Sequence, residues 1–69
     1  MITLNINGKT RSLPEETSIA RFLADNGIEA RIVAVEHNGM VLRREQFPEV
    51  VLREGDTVEI VRMIGGGQG

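Results

Sequence analysis

Ile2, Leu4 and Ile6 are apolar, while Thr3 and Asn5 between them are polar. A period of two sends alternate side chains to opposite faces of a pleated chain, so this segment reads as a strand with one buried face. Asn7-Gly8 follows at once. A two-residue type I′ hairpin needs positive φ at both central positions, which asparagine tolerates and glycine adopts freely, so the chain is expected to turn back here. Residues 9–13 then return as a second strand, with Thr10 and Ser12 facing opposite to Arg11 and Leu13. Pro14 ends that strand because it has no N–H to donate to a ladder.

The period then lengthens. Ile19, Phe22, Leu23 and Asn26 fall on one helical face, the spacing of an amphipathic helix. Thr17 or Ser18 is the expected N-cap, and Glu15 and Glu16 are placed to complement the positive end of the helix dipole. Asn26-Gly27 stops the helix, glycine supplying the left-handed residue after the cap. Residues 32–37 are rich in β-branched side chains and read as a well-buried strand. A second Asn-Gly pair, Asn38-Gly39, turns the chain into a short strand at 40–42. Residues 43–47 form an irregular or 3₁₀ turn that Pro48 keeps from extending. Glu54-Gly55-Asp56 is another turn, and residues 57–64 form the last strand. The expected class is α+β, a mixed sheet of four to five strands with one main helix on one face, because sheet and helix each carry one apolar side to bury.

Composition narrows the function. A chain of 69 residues makes one small domain with a thin core, stabilised by ~3–5 kcal/mol unless something else ties it together. It has no cysteine, so disulfides, thiolate metal sites and cysteine nucleophiles are excluded, in keeping with a reducing compartment. Eight basic and ten acidic residues give a net charge of −2 with no basic stripe, which argues against nucleic acid. Phe22 and Phe47 are the only aromatic residues, too few for a base-stacking platform. No apolar run approaches the ~20 residues that span a bilayer, and the N-terminal segment lacks the flank and centre of a signal peptide. A cytoplasmic protein without membrane contact is expected.

An enzyme is disfavoured, since the chain has little room for a pocket and no nucleophile–base pair. His37 is the single histidine, and no Cys/His cluster accompanies it, so a structural or solvent-facing role is expected rather than a metal or catalytic one. Arg43-Arg44 suits an acidic partner surface, but such a pair is more often a solvated turn beside a carboxylate such as Glu45. Asp56, after a glycine, reads as turn chemistry.

The last five residues, Gly65-Gly66-Gly67-Gln68-Gly69, are the one compositional shift. They divide the chain into a domain of residues 1–64 and a tail of residues 65–69. Two readings are open: a frayed end, or an arm that must be thin as well as flexible, as a segment threaded into another protein's active site would be. The strand immediately before the tail favours the arm, since a held Ile64 would project Gly65 from a rigid edge. If Val58 and Ile60 face the core, Val61 and Met63 form an exposed apolar pair beside the tail, and with Met40 they make the candidate docking surface.

The stretch Val33-Ala34-Val35-Glu36-His37-Asn38-Gly39, followed by Val41-Leu42-Arg43-Arg44-Glu45-Gln46-Phe47, resembles the middle of the ThiS sulfur carriers, with Phe47 where that family often has tryptophan. Gly55-Asp56, Val58-Glu59-Ile60-Val61 and Ile64-Gly65-Gly66-Gly67 resemble the family's closing strand and diglycine end. The resemblance implies a ubiquitin-like β-grasp fold. It also implies a carrier that binds no cofactor of its own. A ThiF-like enzyme uses ATP to adenylate the terminal glycine carboxylate, which is converted to a thiocarboxylate, and a ThiG-like thiazole synthase takes the sulfur for the thiazole of thiamine. One departure is the end: family members stop at Gly-Gly, whereas Gln68-Gly69 lies beyond Gly66-Gly67 here. Trimming by a protease of the metal-dependent JAMM kind would leave Gly67 as the sulfur-carrying terminus; the alternatives are activation of Gly69 itself or an inactive form. Carriage of sulfur to molybdopterin or cysteine, or a β-grasp interaction module with an inert tail, are the competing functions.

Overall fold

The computed structural model describes residues 1–63. Strands β1 (Ile2–Ile6) and β2 (Lys9–Leu13) form the N-terminal hairpin, with Ile2 opposite Leu13 and Ile6 opposite Lys9. Asn7 and Gly8 have φ of 53° and 80°, as the tight turn requires. A two-residue strand β3 (Thr17–Ser18) leads into the helix α1 (Ile19–Asp25). The Ser18 hydroxyl accepts the Arg21 amide at 3.0 Å and so caps the helix. No acidic residue stands in the first turn. Glu15 and Glu16 precede the cap instead, and Glu16 meets the Arg53 guanidinium at 3.4 Å.

Gly27 closes the helix at φ 69°. Its amide donates to Ala24, and the next amide, of Ile28, reaches back to Leu23 at 2.9 Å, the paired bonds of a Schellman end. Asn26 is exposed rather than part of the buried face, its side-chain amide donating to the Phe22 carbonyl at 2.9 Å. Seven residues are too few to hold a helix in isolation, so α1 depends on the burial of Ile19, Phe22 and Leu23.

A 3₁₀ turn at Ala30–Ile32 absorbs the expected first residue of the next strand, and β4 (Val33–His37) begins one position later. Asn38 and Gly39, both at positive φ, turn the chain into β5 (Met40–Leu42). The 3₁₀ turn Arg44–Gln46 follows, tied by the Gln46 side chain accepting the Arg43 amide at 2.7 Å. Then come β6 (Val51–Leu52) and β7 (Thr57–Arg62). The main sheet runs β2-β1-β7-β4-β5, with β1 and β7 parallel and the other pairs antiparallel. A second ladder, β3 with β6, pairs Thr17 with Leu52 and Ser18 with Val51; two residues on each side carry no periodicity for sequence reasoning to detect. The fold is thus α+β, a five-stranded mixed sheet with one helix, in the β-grasp arrangement.

The core lies between sheet and helix. Ile2, Leu4, Ile6, Val33, Val35 and Val58 supply the sheet side, and Ile19, Phe22 and Leu23 the helix side. Phe47, after the 3₁₀ turn beyond β5, and Leu52 of β6 close it. Leu4, Val35 and Val58 lie within strands whose neighbours in sequence point outward, so the period of two sorts the two faces of the sheet.

Candidate functional site

Strand β7 carries the end of the described chain, and it is the middle strand of the main sheet. Its residues alternate in the direction of their backbone groups. The Asp56 and Val58 carbonyls accept from Asn5 and Asn7 of the N-terminal hairpin, at 2.9 and 2.8 Å. The Thr57 carbonyl accepts instead from Asn38, on the β4 side, at 2.8 Å.

Both hairpin asparagines add a side-chain hold. The Asn7 carboxamide accepts the Ile60 amide at 2.7 Å and donates to the Ile60 carbonyl at 3.2 Å. It occupies the place of the next β1 residue and lengthens a short parallel ladder. On the other edge, the Asn38 carboxamide accepts the Thr57 amide at 2.9 Å and donates to Asp56 at 3.2 Å. Just beyond β7, the Met63 amide still donates to Ile32, at 2.8 Å, so the chain is held to its last described residue. The Asn-Gly pairs signal turns in the sequence, but nothing in them shows that their side chains grip a strand 19 and 53 residues away.

Asp56 is the hub of a small polar cluster. One carboxylate oxygen meets His37 Nε2 at 2.8 Å and accepts the Arg53 amide at 2.9 Å. Burial alone would push the Asp56 carboxyl up. The hydrogen bonds from His37, the Arg53 amide and Asn38, together with the His37 charge, outweigh burial and hold it below the ordinary aspartate value of 3.8. The cluster joins the β4–β5 hairpin to the turn before β7, so His37 and Asp56 do structural work, as expected of a lone histidine and a turn aspartate. Arg43 pairs with Glu45 at 3.4 Å on the surface, which is the solvated-turn reading of that segment. Among the described residues, no group of three or more His, Cys, Asp or Glu side chains is arranged to hold a metal. No described helix is long and apolar enough to cross a membrane.

The face of the sheet away from the helix is open. Val61 is 57% exposed and Met63, just beyond β7, 55%. Met40 is 69% exposed, but its register opposite His37 puts it on the helix-side face, because directly paired residues share a face. Met40 is thus separated from Val61. Its neighbour Val41, 71% exposed, takes the open face and lines a shallow hollow of about 110 Å³ with Ala34, Glu36, Glu59 and Val61. Sequence reasoning missed Val41, although a two-residue turn at 38–39 already sets 37 opposite 40 and 36 opposite 41. The tail residues Gly65, Gly66, Gly67, Gln68 and Gly69, with Ile64 before them, lie outside the described residues.

The family model of ThiS matches residues 4–67, nearly the whole chain. The chain belongs to the ThiS family. Over 65 residues it is 38% identical to the sulfur carrier protein ThiS of Bacillus subtilis, a match covering 93% of this chain and 98% of that one. It is also 36% identical, over 64 residues, to a thiazole synthase of Paramagnetospirillum magneticum; that match covers 93% of this chain, which spans 20% of the longer protein. The crystal structure of the thiamine biosynthesis protein ThiS from Geobacter metallireducens superposes with a TM-score of 0.84 at 35% identity, covering 96% of this chain and 100% of that one. The ThiS-family resemblance of the strand–turn segments therefore extends to the three-dimensional fold.

Proposed function

We propose that this ThiS-family chain is a sulfur carrier for thiazole formation in thiamine biosynthesis, working through a glycine carboxylate at its C-terminus. The observation that carries the reading is the full-length likeness to the Bacillus subtilis sulfur carrier, end to end within a few residues. The segment shared with a thiazole synthase supports that enzyme as the consumer of the sulfur.

A free carboxylate does not exchange oxygen for sulfur, because oxide is too poor a leaving group. Adenylation supplies one: the carboxylate displaces pyrophosphate from ATP, and hydrosulfide then displaces AMP and loses its proton to leave a thiocarboxylate. ATP is bound and used by a ThiF-like enzyme, not by this chain. The partner also provides the positioning and charge stabilisation that such acyl chemistry needs. The carrier's share is to present a thin arm from a fixed base. The bonds that hold β7 on both edges support that role.

The family match ends at residue 67, which supports Gly67, after Gly66, as the sulfur-bearing terminus and loss of Gln68-Gly69 to a protease. Intact mass measurement of the protein from its native cell tests both points. A mass short of Gln68 and Gly69, with a fraction bearing sulfur in place of one oxygen, is expected. A full-length mass that gains no sulfur on incubation with ATP, the ThiF-like enzyme and a sulfur source would refute carriage by this form.

A further inference from the structure

Strand β7 runs past its neighbour. Its pairing with β1 ends at Ile6 and Val58, and the Asn7 carboxamide takes Ile60. Backbone groups along a strand alternate between its two edges, so those of Arg62 point the same way as those of Val58 and Ile60, to the side where β1 has already ended. Among the described residues, the Asn7 side chain is the last partner on that edge. The Arg62 side chain stands opposite the buried Val33 and so lies on the helix-side face. There it lines an open groove with Phe22, Ile28 and Ile60. Arg62 is exposed and belongs to none of the ion pairs among the described residues. Two other charged residues line the groove: Arg11, held over the Phe22 ring at 5.7 Å, and Glu29, whose carboxylate meets Arg31 at 3.6 Å. The groove thus carries more positive than negative charge, and the ladder beside it has an empty position.

The chain itself continues from this point with Ile64, Gly65, Gly66 and Gly67. A four-residue hairpin loop over residues 63–66 sets Gly67 opposite Arg62, in the position that β1 leaves empty. Gly65 and Gly66 meet any positive φ in such a loop without strain. Gly67 has no side chain to keep its backbone from the edge of β7. A carboxylate ending the chain there is within reach of the Arg62 guanidinium, whose planar fork suits it. We infer that in the form ending at Gly67 the tail folds back on the open edge of β7 and seats its terminal carboxylate on Arg62, one oxygen accepting from the Arg62 amide and the other from the guanidinium. The inference rests on the carrier reading, which supplies the carboxylate at Gly67, and adds a resting place that the activating enzyme must empty.

In the test, the chain ending at Gly67 carries carbon-13 at that carboxyl and is titrated by NMR, and amide exchange is followed at Arg62. The acid dissociation constant is expected to lie about tenfold above that of a free glycyl peptide, with the Arg62 amide protected. Arg62→Gln should return the constant to the free value at an unchanged melting temperature, and Arg62→Lys should keep most of the effect because a cation remains. In the full chain the terminal carboxylate lies two residues past the seat, so Gly69 should titrate as a free peptide does. A Gly67 carboxyl that titrates freely, or an Arg62 amide that exchanges unprotected, would overturn the inference, as would an effect that survives Arg62→Gln or a lowering seen only at Gly69. Sulfur acquisition with the ThiF-like enzyme, ATP and hydrosulfide is scored separately. A freely titrating chain that still acquires sulfur removes the seat and leaves the carrier reading standing, whereas a seated chain that never acquires sulfur removes the carrier reading and leaves the seat.

Discussion

Replacing Asn7 by glycine separates two roles that this residue combines. Glycine keeps the positive φ of the turn, where an added Cβ at the neighbouring Gly8 would meet open space, but it removes the carboxamide that holds Ile60. Two hydrogen bonds are lost, at 2.7 and 3.2 Å. Both face an open groove of about 490 Å³ lined by Asn7, Ile28, Ile60 and Arg62 among others, so water can reach the freed groups. The loss is then the net value of each bond, about 0.5–1.5 kcal/mol, rather than a full desolvation penalty. Asn7→Gly is expected to lose about 1–3 kcal/mol. Asn7→Ala adds left-handed strain of about 1–2 kcal/mol, which brings it close to the whole stability of a domain this small. Urea unfolding followed by circular dichroism measures both, with an unchanged m-value and a midpoint shift of roughly 1 M or more for the glycine variant. Amide exchange should show protection at Ile60 reduced before global unfolding. An Asn7→Gly variant within about 0.3 kcal/mol of the parent, with Ile60 still protected, would refute the claim that this side chain completes the ladder.

Two further outcomes follow from the same structure. The Asp56 carboxyl is held below 3.8 in the folded chain, so its share of stability is fully present above the ordinary aspartate value and is lost as pH falls through the lowered folded value; melting temperatures between about pH 2 and pH 6 should fall less steeply at the acid end for Asp56→Asn than for the parent, and equal slopes would sink the assignment. Leu52 of β6 is 1% exposed, so Leu52→Ala should cost about 2–5 kcal/mol and leave little folded protein at room temperature; a cooperative urea transition at the parent's midpoint would contradict the packing described.

The local chemistry of this chain is written plainly in its sequence. Two Asn-Gly pairs, one Ser cap and one Gly stop define turns and helix ends whose rules act over four or five residues, and all four are where they were expected. The alternation Ile2-Leu4-Ile6 sorts the faces of β1 as it reads. What the sequence does not carry is which strand lies beside which. Nothing within residues 57–62 says that β7 enters between β1 and β4, and the meeting of Glu36 with Glu59 depends wholly on that placement. The grip of Asn7 on Ile60 is equally non-local. Ile32 was expected to start β4, yet it belongs to the preceding 3₁₀ turn, because a β-branched run has no internal mark of where pairing begins. Met40 differs in kind: its face was decidable from the turn length, and grouping it with Val61 by exposure alone overlooked the parity of the hairpin.

The central position of β7 also decides how the domain responds to force. β1 and β7 are parallel, so traction between residue 2 and residue 62 drives the two strands lengthwise past each other and loads their shared bonds, including the Asn7 clamp, all at once. Traction on β5, at the free edge of the sheet, would break its bonds to β4 one after another. An unfolding motor that seizes the chain beyond residue 62 therefore meets first a strand that is paired on both edges.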